Sequence, residues 1–266
     1  MYYILAFIVL FLLWLSIRPS NNRRWSEDQA ILPHAQIREN SVSISNVRNF
    51  LYSARDKYTP RFYDRTYDLS ELTHLYYMVV PFSRTPGVAH SCVSFEFSTG
   101  EYIAISVEVR KKIGESYSLL KSLIKGYELM YVVADERDII KLRTDHRDEK
   151  VHLYKLELPK DVIQKTFVDM LERANTLRHA PEFYNPITNT CTNNIIQHIN
   201  KFLSDKKKIP LHISAFLPRW SDAFFYRIGL IKNDRSFEEK KRASYINDRA
   251  RSLDEDDPEF SQKIRI

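Results

Sequence analysis

The sequence predicts an α+β fold, in which helices pack on an antiparallel sheet. Three observations carry that expectation. Four apolar, β-prone runs lie close together in the chain: Leu75–Phe82, His90–Phe97, Tyr102–Val109 and Leu129–Ala134. The middle two flank Ser98-Thr99-Gly100-Glu101, a hairpin turn by composition. The clearest helix, Lys160–Leu177, then carries Val162, Ile163, Phe167, Met170, Leu171 and Ala174 on one face.

Taken in order, the chain opens on an almost wholly apolar run, Tyr2 to Ile17. That is slightly short of the ~20 residues a spanning helix needs, and a snorkelling Arg18 lengthens it. Ile17, Arg18 and Pro19 stand where a signal peptide would need small residues, so residues 1–18 read as an uncleaved transmembrane anchor. Arg18, Arg23 and Arg24 follow it, and the positive-inside rule alone would place the rest in the cytoplasm. Residues 19–40 read as a polar linker, 41–232 as the domain, and 233–266 as a charged tail, peripheral or partly disordered.

Within the domain, Val42, Ile44 and Val47 mark a strand start. Asn49 to Asp68 is dense in Tyr and Arg without a helical period, and reads as an extended arm that turns near Pro60. A short helix, Tyr117–Lys125, precedes the fourth run, and Asp135 caps another over Glu136–Arg143. Val151–Leu158 is a further strand. After Pro181, a loop over Glu182–Thr190 leads into a helix with Ile195, Ile196, Ile199, Phe202 and Leu203 on its apolar side. Ser221–Ile231 reads as an apolar helix with Gly229 as its cap.

Composition narrows the function. The formal charge is +6, with clusters at Arg110-Lys111-Lys112, Lys206-Lys207-Lys208 and Lys240-Lys241-Arg242. Interspersed acids make these a solvated surface, or one lying near anionic headgroups. No basic-aromatic motif accompanies them, which argues against nucleic acid. Five glycines and no GxGxxG or P-loop pattern argue against a phosphate-cradling loop, and no cofactor is expected. The histidines show no zinc-like spacing, and no metal is expected.

The chemistry-bearing residue is Cys191, in the polar cluster Asn189-Thr190-Cys191-Thr192-Asn193-Asn194 at a helix start. Unpaired N–H groups and the helix dipole favour a thiolate at such a place, and a thiolate attacks carbonyl carbon. Strand alternation sets His90, Cys92, Ser94 and Glu96 on one face and Ser91, Val93, Phe95 and Phe97 on the other. The apolar face is core. The His90 face is expected to meet the start of the Cys191 helix, giving a papain-type pair in which His90 takes the thiol proton. A hairpin centred on Thr99-Gly100 pairs His90 near residue 109 and makes Glu108 the orienting acid. The oxyanion donors would be the Cys191 N–H with Asn189, Asn185 or Tyr184. The plainer alternatives are a small buried Cys191, a Thr190 or Asn189 that only caps the helix, and a satisfied sheet histidine at His90.

Several segments together resemble a known bacterial family. They are Arg18-Pro19-Ser20-Asn21, Asn46-Val47-Arg48-Asn49-Phe50, Thr59 to Leu69, Ala89-His90-Ser91, Ile105-Ser106-Val107-Glu108, Gly114-Glu115-Ser116-Tyr117, and Phe183-Tyr184-Asn185 through Asn194. Their order and spacing resemble the Lnb N-terminal periplasmic domain family, named for lipoprotein N-acyltransferases. The resemblance implies a permuted papain-like fold with His before Cys, matching His90 and Cys191. It implies a domain facing the periplasm from the inner membrane, against the positive-inside count. It implies acyl transfer or hydrolysis on lipid or lipoprotein through a thioester on Cys191. The full acyltransferases carry further transmembrane segments after this domain, and none follows here. Two alternatives remain at this point: a cysteine amidase or peptidase acting on cell-wall peptides, and a non-catalytic binding module with a Cys92–Cys191 disulfide.

Overall fold

β-Branched and aromatic residues dominate the central runs, and they assemble one twisted sheet covered on both faces. The structure, a computed structural model, describes residues 2–55, 57–82, 87–210, 212 and 218–265, and nothing of the Leu10 and Leu13 side chains. The strands are β1 (His34–Arg38), β2 (Ser41–Arg48), β3 (Leu51–Ala54), β4 (Lys57–Thr59), β5 (Phe62–Asp68), β6 (Leu72–Pro81), β7 (Ala89–Phe97), β8 (Tyr102–Arg110), β9 (Glu128–Asp135) and β10 (His152–Lys155). The helices are α1 (Tyr2–Ser16), α2 (Glu27–Ala30), α3 (Leu119–Leu123), α4 (Glu136–Lys141), α5 (Lys160–His179), α6 (Cys191–Asn200), α7 (Ser221–Arg227), α8 (Phe237–Ser244), α9 (Asn247–Ser252) and α10 (Phe260–Lys263).

The sheet runs β1-β2-β9-β8-β7-β6-β10, with β5 also paired to β2. Its ladders are antiparallel except where Arg48 of β2 meets Ala134 of β9 in parallel. The central strands are buried almost end to end, as a sheet covered on both sides requires. On one face α5, α6 and α7 bury Phe167, Met170, Ile195, Ile199 and Phe225 against Val93, Phe95, Ile105 and Tyr131. On the other, α4, α9 and α10 bury Ile139, Ile140, Ile246, Ala250, Phe260 and Ile264 against Met78, Cys92, Ala104 and Val132. The fold is therefore a mixed α+β domain with a mostly antiparallel sheet and helices on both sides.

Five segments depart from expectation. The charged tail folds back as α8 to α10, and Arg265 grips both oxygens of the buried Glu136. Residues 19–40 are packed rather than loose: Trp25 and Gln29 are buried, and Arg110 donates to Asn21 and to the Gln29 and Ala30 carbonyls. The Tyr/Arg arm is sheet, a β3–β4 hairpin followed by β5. Its Arg65 pairs with Glu101, and Tyr67 stacks on Phe97. Next, α1 has 15 residues, about 22 Å of helix against a hydrocarbon core of about 30 Å. Among the described residues no helix is long and apolar enough to cross a membrane. The helix expected over Ser221–Ile231 ends at Arg227, and Gly229 takes φ 75° as the chain turns back to pair with Leu156.

Candidate functional site

Thr190 caps α6, its side chain accepting from the Asn193 N–H at 3.1 Å, and this sets Cys191 in the first turn. Isoleucines 195, 196 and 199 must be buried, so α6 lies against the apolar face of β7 and β8. The Thr192 hydroxyl meets Ser91 Oγ at 2.8 Å, which fixes that face. Cys191 is almost fully buried. Tyr77, Tyr117 and Tyr184 lie within its electrostatic reach; burial first, and Cys191 after it, push each phenol upward.

His90 stands on the opposite face of the same sheet. It alternates with Ser91, pairs across to Val80, and shares its side with Cys92 and Ser106. The expected His90–Cys191 pair is thus not brought together. The reason is physical: Cys191 goes where the apolar stripe of its own helix goes, and that stripe seeks Val93 and Phe95 rather than the polar side of the strand. The two cysteines are free, and the sheet lies between their environments. The Cys92 thiol rests 3.5 Å from Met78 Sδ, and burial pushes it up to about 12.

Glu108 does join His90, but through Ser106. The β7–β8 register pairs Cys92 with Ser106, one residue away from the expected pairing, and puts Glu108 on the His90 side. Ser106 Oγ lies 2.7 Å from His90 Nε2 and donates to Glu108 at 2.9 Å. A hydroxyl has one proton, so Ser106 must accept from Nε2–H, which fixes the His90 tautomer. Burial, then Arg143, pushes His90 down to about 3, so it is neutral at neutral pH. Its 3.9 Å approach to Glu108 is then not an ion pair. Burial opposes the Glu108 charge, but the Arg143 and Arg48 guanidiniums and the Ser106 hydroxyl hold its carboxyl well below the usual range. Arg143 stands 3.6 Å from it. This is a buried polar network, with Gln29 also donating to Glu108 at 3.3 Å.

The proposed oxyanion donors surround the loop before Cys191. Asn185 Oδ1 accepts from the Ile187 and Thr188 N–H groups, and Asn189 Oδ1 accepts from Asn194. Their carbonyl oxygens are engaged, while their amide nitrogens have no hydrogen bond among the described residues. Asn194 leads to a network that sequence reasoning missed. Tyr131 shares its proton between Asn194 Oδ1 at 3.0 Å and His198 Nε2 at 2.8 Å, and His198 Nδ1 meets Asp169 at 2.5 Å. Burial first lowers His198 and Asp169 opposes that shift, so its Nδ1–H serves as donor. The signal was His198 lying seven residues after Cys191 on a helix facing α5. Its visible effect is to tie α5, β9 and α6 to the Asn189 loop.

A cavity of about 620 Å³ lies elsewhere, at the β10 edge, lined by Lys150, His152, Arg219, Trp220 and Tyr245 among others. None of the residues around Cys191 lines it. Among the described residues no three His, Cys, Asp or Glu side chains converge as metal ligands.

Fold and site define a mixed α+β domain that buries one cysteine at a helix start and one neutral histidine across the sheet from it. The chain belongs to the family of the Lnb N-terminal periplasmic domain, whose profile matches residues 58–218, more than half of the sequence. That family places the domain in the periplasm. No curated protein and no solved structure is detectably similar to the chain.

Proposed function

We propose that this chain is a membrane-tethered domain at the periplasmic face of the inner membrane that handles lipid or lipoprotein acyl groups, with Cys191 as the residue that carries them as a thioester. The observation behind this reading is the seat of Cys191 in the first turn of α6. There the N–H groups of the helix start lie beside the thiol and Tyr184 stands within its electrostatic reach, and Asn189 and Asn185 of the preceding loop are the side chains we assign as further donors. The separation of His90 changes the reading in one respect. His90 and Glu108 act as structural supports, not as base and orienting acid. α1 serves as the tether, its apolar side chains exposed along nearly all of its length.

The separation of His90 from Cys191 also favours a second reading, a non-catalytic module of the envelope that binds the same ligands. It does so without the disulfide first considered, since both thiols are free.

Intact mass separates these readings. The full chain, Cys191→Ser and His90→Gln are each exposed to phospholipid and to a diacylated lipopeptide. A hydroxylamine-sensitive adduct on wild type and His90→Gln, absent from Cys191→Ser, supports the thioester without a His90 base. An adduct lost in His90→Gln, with folding intact, restores the papain-type pair. No adduct on any chain leaves the binding module.

A further inference from the structure

The short helix α3 is built inside out. Its buried residue is Ser122, whose hydroxyl donates to the Leu119 carbonyl. Leu119, Leu120 and Leu123, with flanking Ile113 and Ile124, are between 45% and 77% exposed. The segment is firmly held in this pose. Ser118 caps the helix, and its N–H donates to the Tyr127 hydroxyl, which donates in turn to the Ser116 carbonyl. Gly126 closes the turn: its N–H donates to the Lys121 carbonyl at 2.9 Å, and a Cβ there would stand 2.4 Å from that oxygen. Five large aliphatic side chains fixed in water form the kind of patch that marks an interaction surface.

Two observations choose its occupant. The foot of α1 lies here, with the Lys125 ammonium 4.4 Å from the Trp14 ring and donating to the Trp14 carbonyl at 3.4 Å. The patch therefore continues the exposed apolar surface of α1. Its charged rim is cationic: Lys111, Lys112, Lys121 and Lys125 oppose a single acid, Glu115, which already pairs with Lys112 and Lys121. A bilayer with anionic headgroups matches both the aliphatic centre and the basic rim.

We propose that α3 is a second membrane contact, which sets its leucines and the two flanking isoleucines into the interfacial layer beside α1. Tyr117, which neighbours both α3 and Cys191, then faces the bilayer. The inference rests on the tether assigned to α1 but not on thioester chemistry, which the mass experiment tests separately.

The test uses the full chain in vesicles of phosphatidylethanolamine and phosphatidylglycerol. Leu120→Cys carries a nitroxide, and Lys165→Cys on the exposed side of α5 carries the same label as reference. Both side chains are exposed, so neither change empties the core, and unsubstituted chain controls for labelling of the two buried thiols. The expected result is an oxygen-to-nickel-chelate accessibility ratio several-fold higher at residue 120 than at 165. Equal ratios overturn the proposal. Low accessibility to both reagents with spin–spin broadening also overturns it, and assigns the patch to a second copy of the chain. A chain that fails to float with the vesicles overturns the tether and this inference together.

Discussion

Replacing His90 by Gln should remove a large part of the acid sensitivity of this fold. In the folded protein burial holds His90 at about 3, against 6.5 for a free histidine. Between those values the unfolded chain binds a proton that the folded chain does not. Stability from this group is therefore complete above about pH 6.5 and is lost as pH falls towards 3. The whole gap corresponds to roughly 5 kcal/mol, and about 2 kcal/mol of it is lost on going from pH 7 to about pH 5. The side chain keeps 15% exposure, so these are upper bounds. Gln retains a donor towards Ser106 and does not titrate. Urea unfolding of the detergent-solubilised chains at both pH values gives four free energies. Wild type should lose up to about 2 kcal/mol more than His90→Gln across the interval. Other titrating groups, His152 and His198 among them, cancel in that difference. Equal losses would refute the argument that His90 is buried neutral, and with it the tautomer assigned from Ser106.

Three further outcomes are expected. Arg48→Ala should cost about 3–5 kcal/mol by urea unfolding, because it leaves Asp138 buried beside only the Phe50 N–H and the Tyr52 hydroxyl; a loss under about 1 kcal/mol contradicts the buried pair. Ile264→Ala should cost about 2–5 kcal/mol as a core truncation, whereas a peripheral tail would lose almost nothing in the same melt. Ellman's reagent should find neither thiol readily in the native chain and two in denaturant without reductant; one or none in denaturant indicates oxidation and refutes the free pair.

Much of the scaffold was legible. The β7–β8 hairpin, the amphipathic α5, the Asp135 cap on α4 and the Thr190 cap on α6 each rest on a local rule, and the structure places them within a few residues of expectation. Alternation along β7 also sorted His90 from Ser91 correctly. What failed was the choice of face. Polar residues on one side of β7 were matched to the polar start of the Cys191 helix, although the isoleucines of that same helix had to reach the apolar side. Glu108 was identified from a register one residue in error, and Ser106 spans the difference. The C-terminal segment was hidden by its charge. Ile246, Ala250, Phe260 and Ile264 are sparse among acids and bases, yet they are what the second face needs. The Asp169–His198–Tyr131 chain joins residues far apart in sequence, and its one local sign was His198 on the Cys191 helix.

The closure of the second face has a consequence for how this protein is made. Ile264 is fully buried against residues drawn from β6 to β9, and Arg265 is bound to Glu136. Near the other end, β2 finds β9 only across some eighty residues of intervening chain. Contacts of such sequence separation form late, after their loop entropy has been overcome. A nascent chain emerging N-terminus first thus displays Met78, Val80, Cys92 and Val132 without cover until residue 265 is free. Those residues are open to a chaperone, a protease or another chain for the whole of that interval, and the final turn of helix decides when it ends.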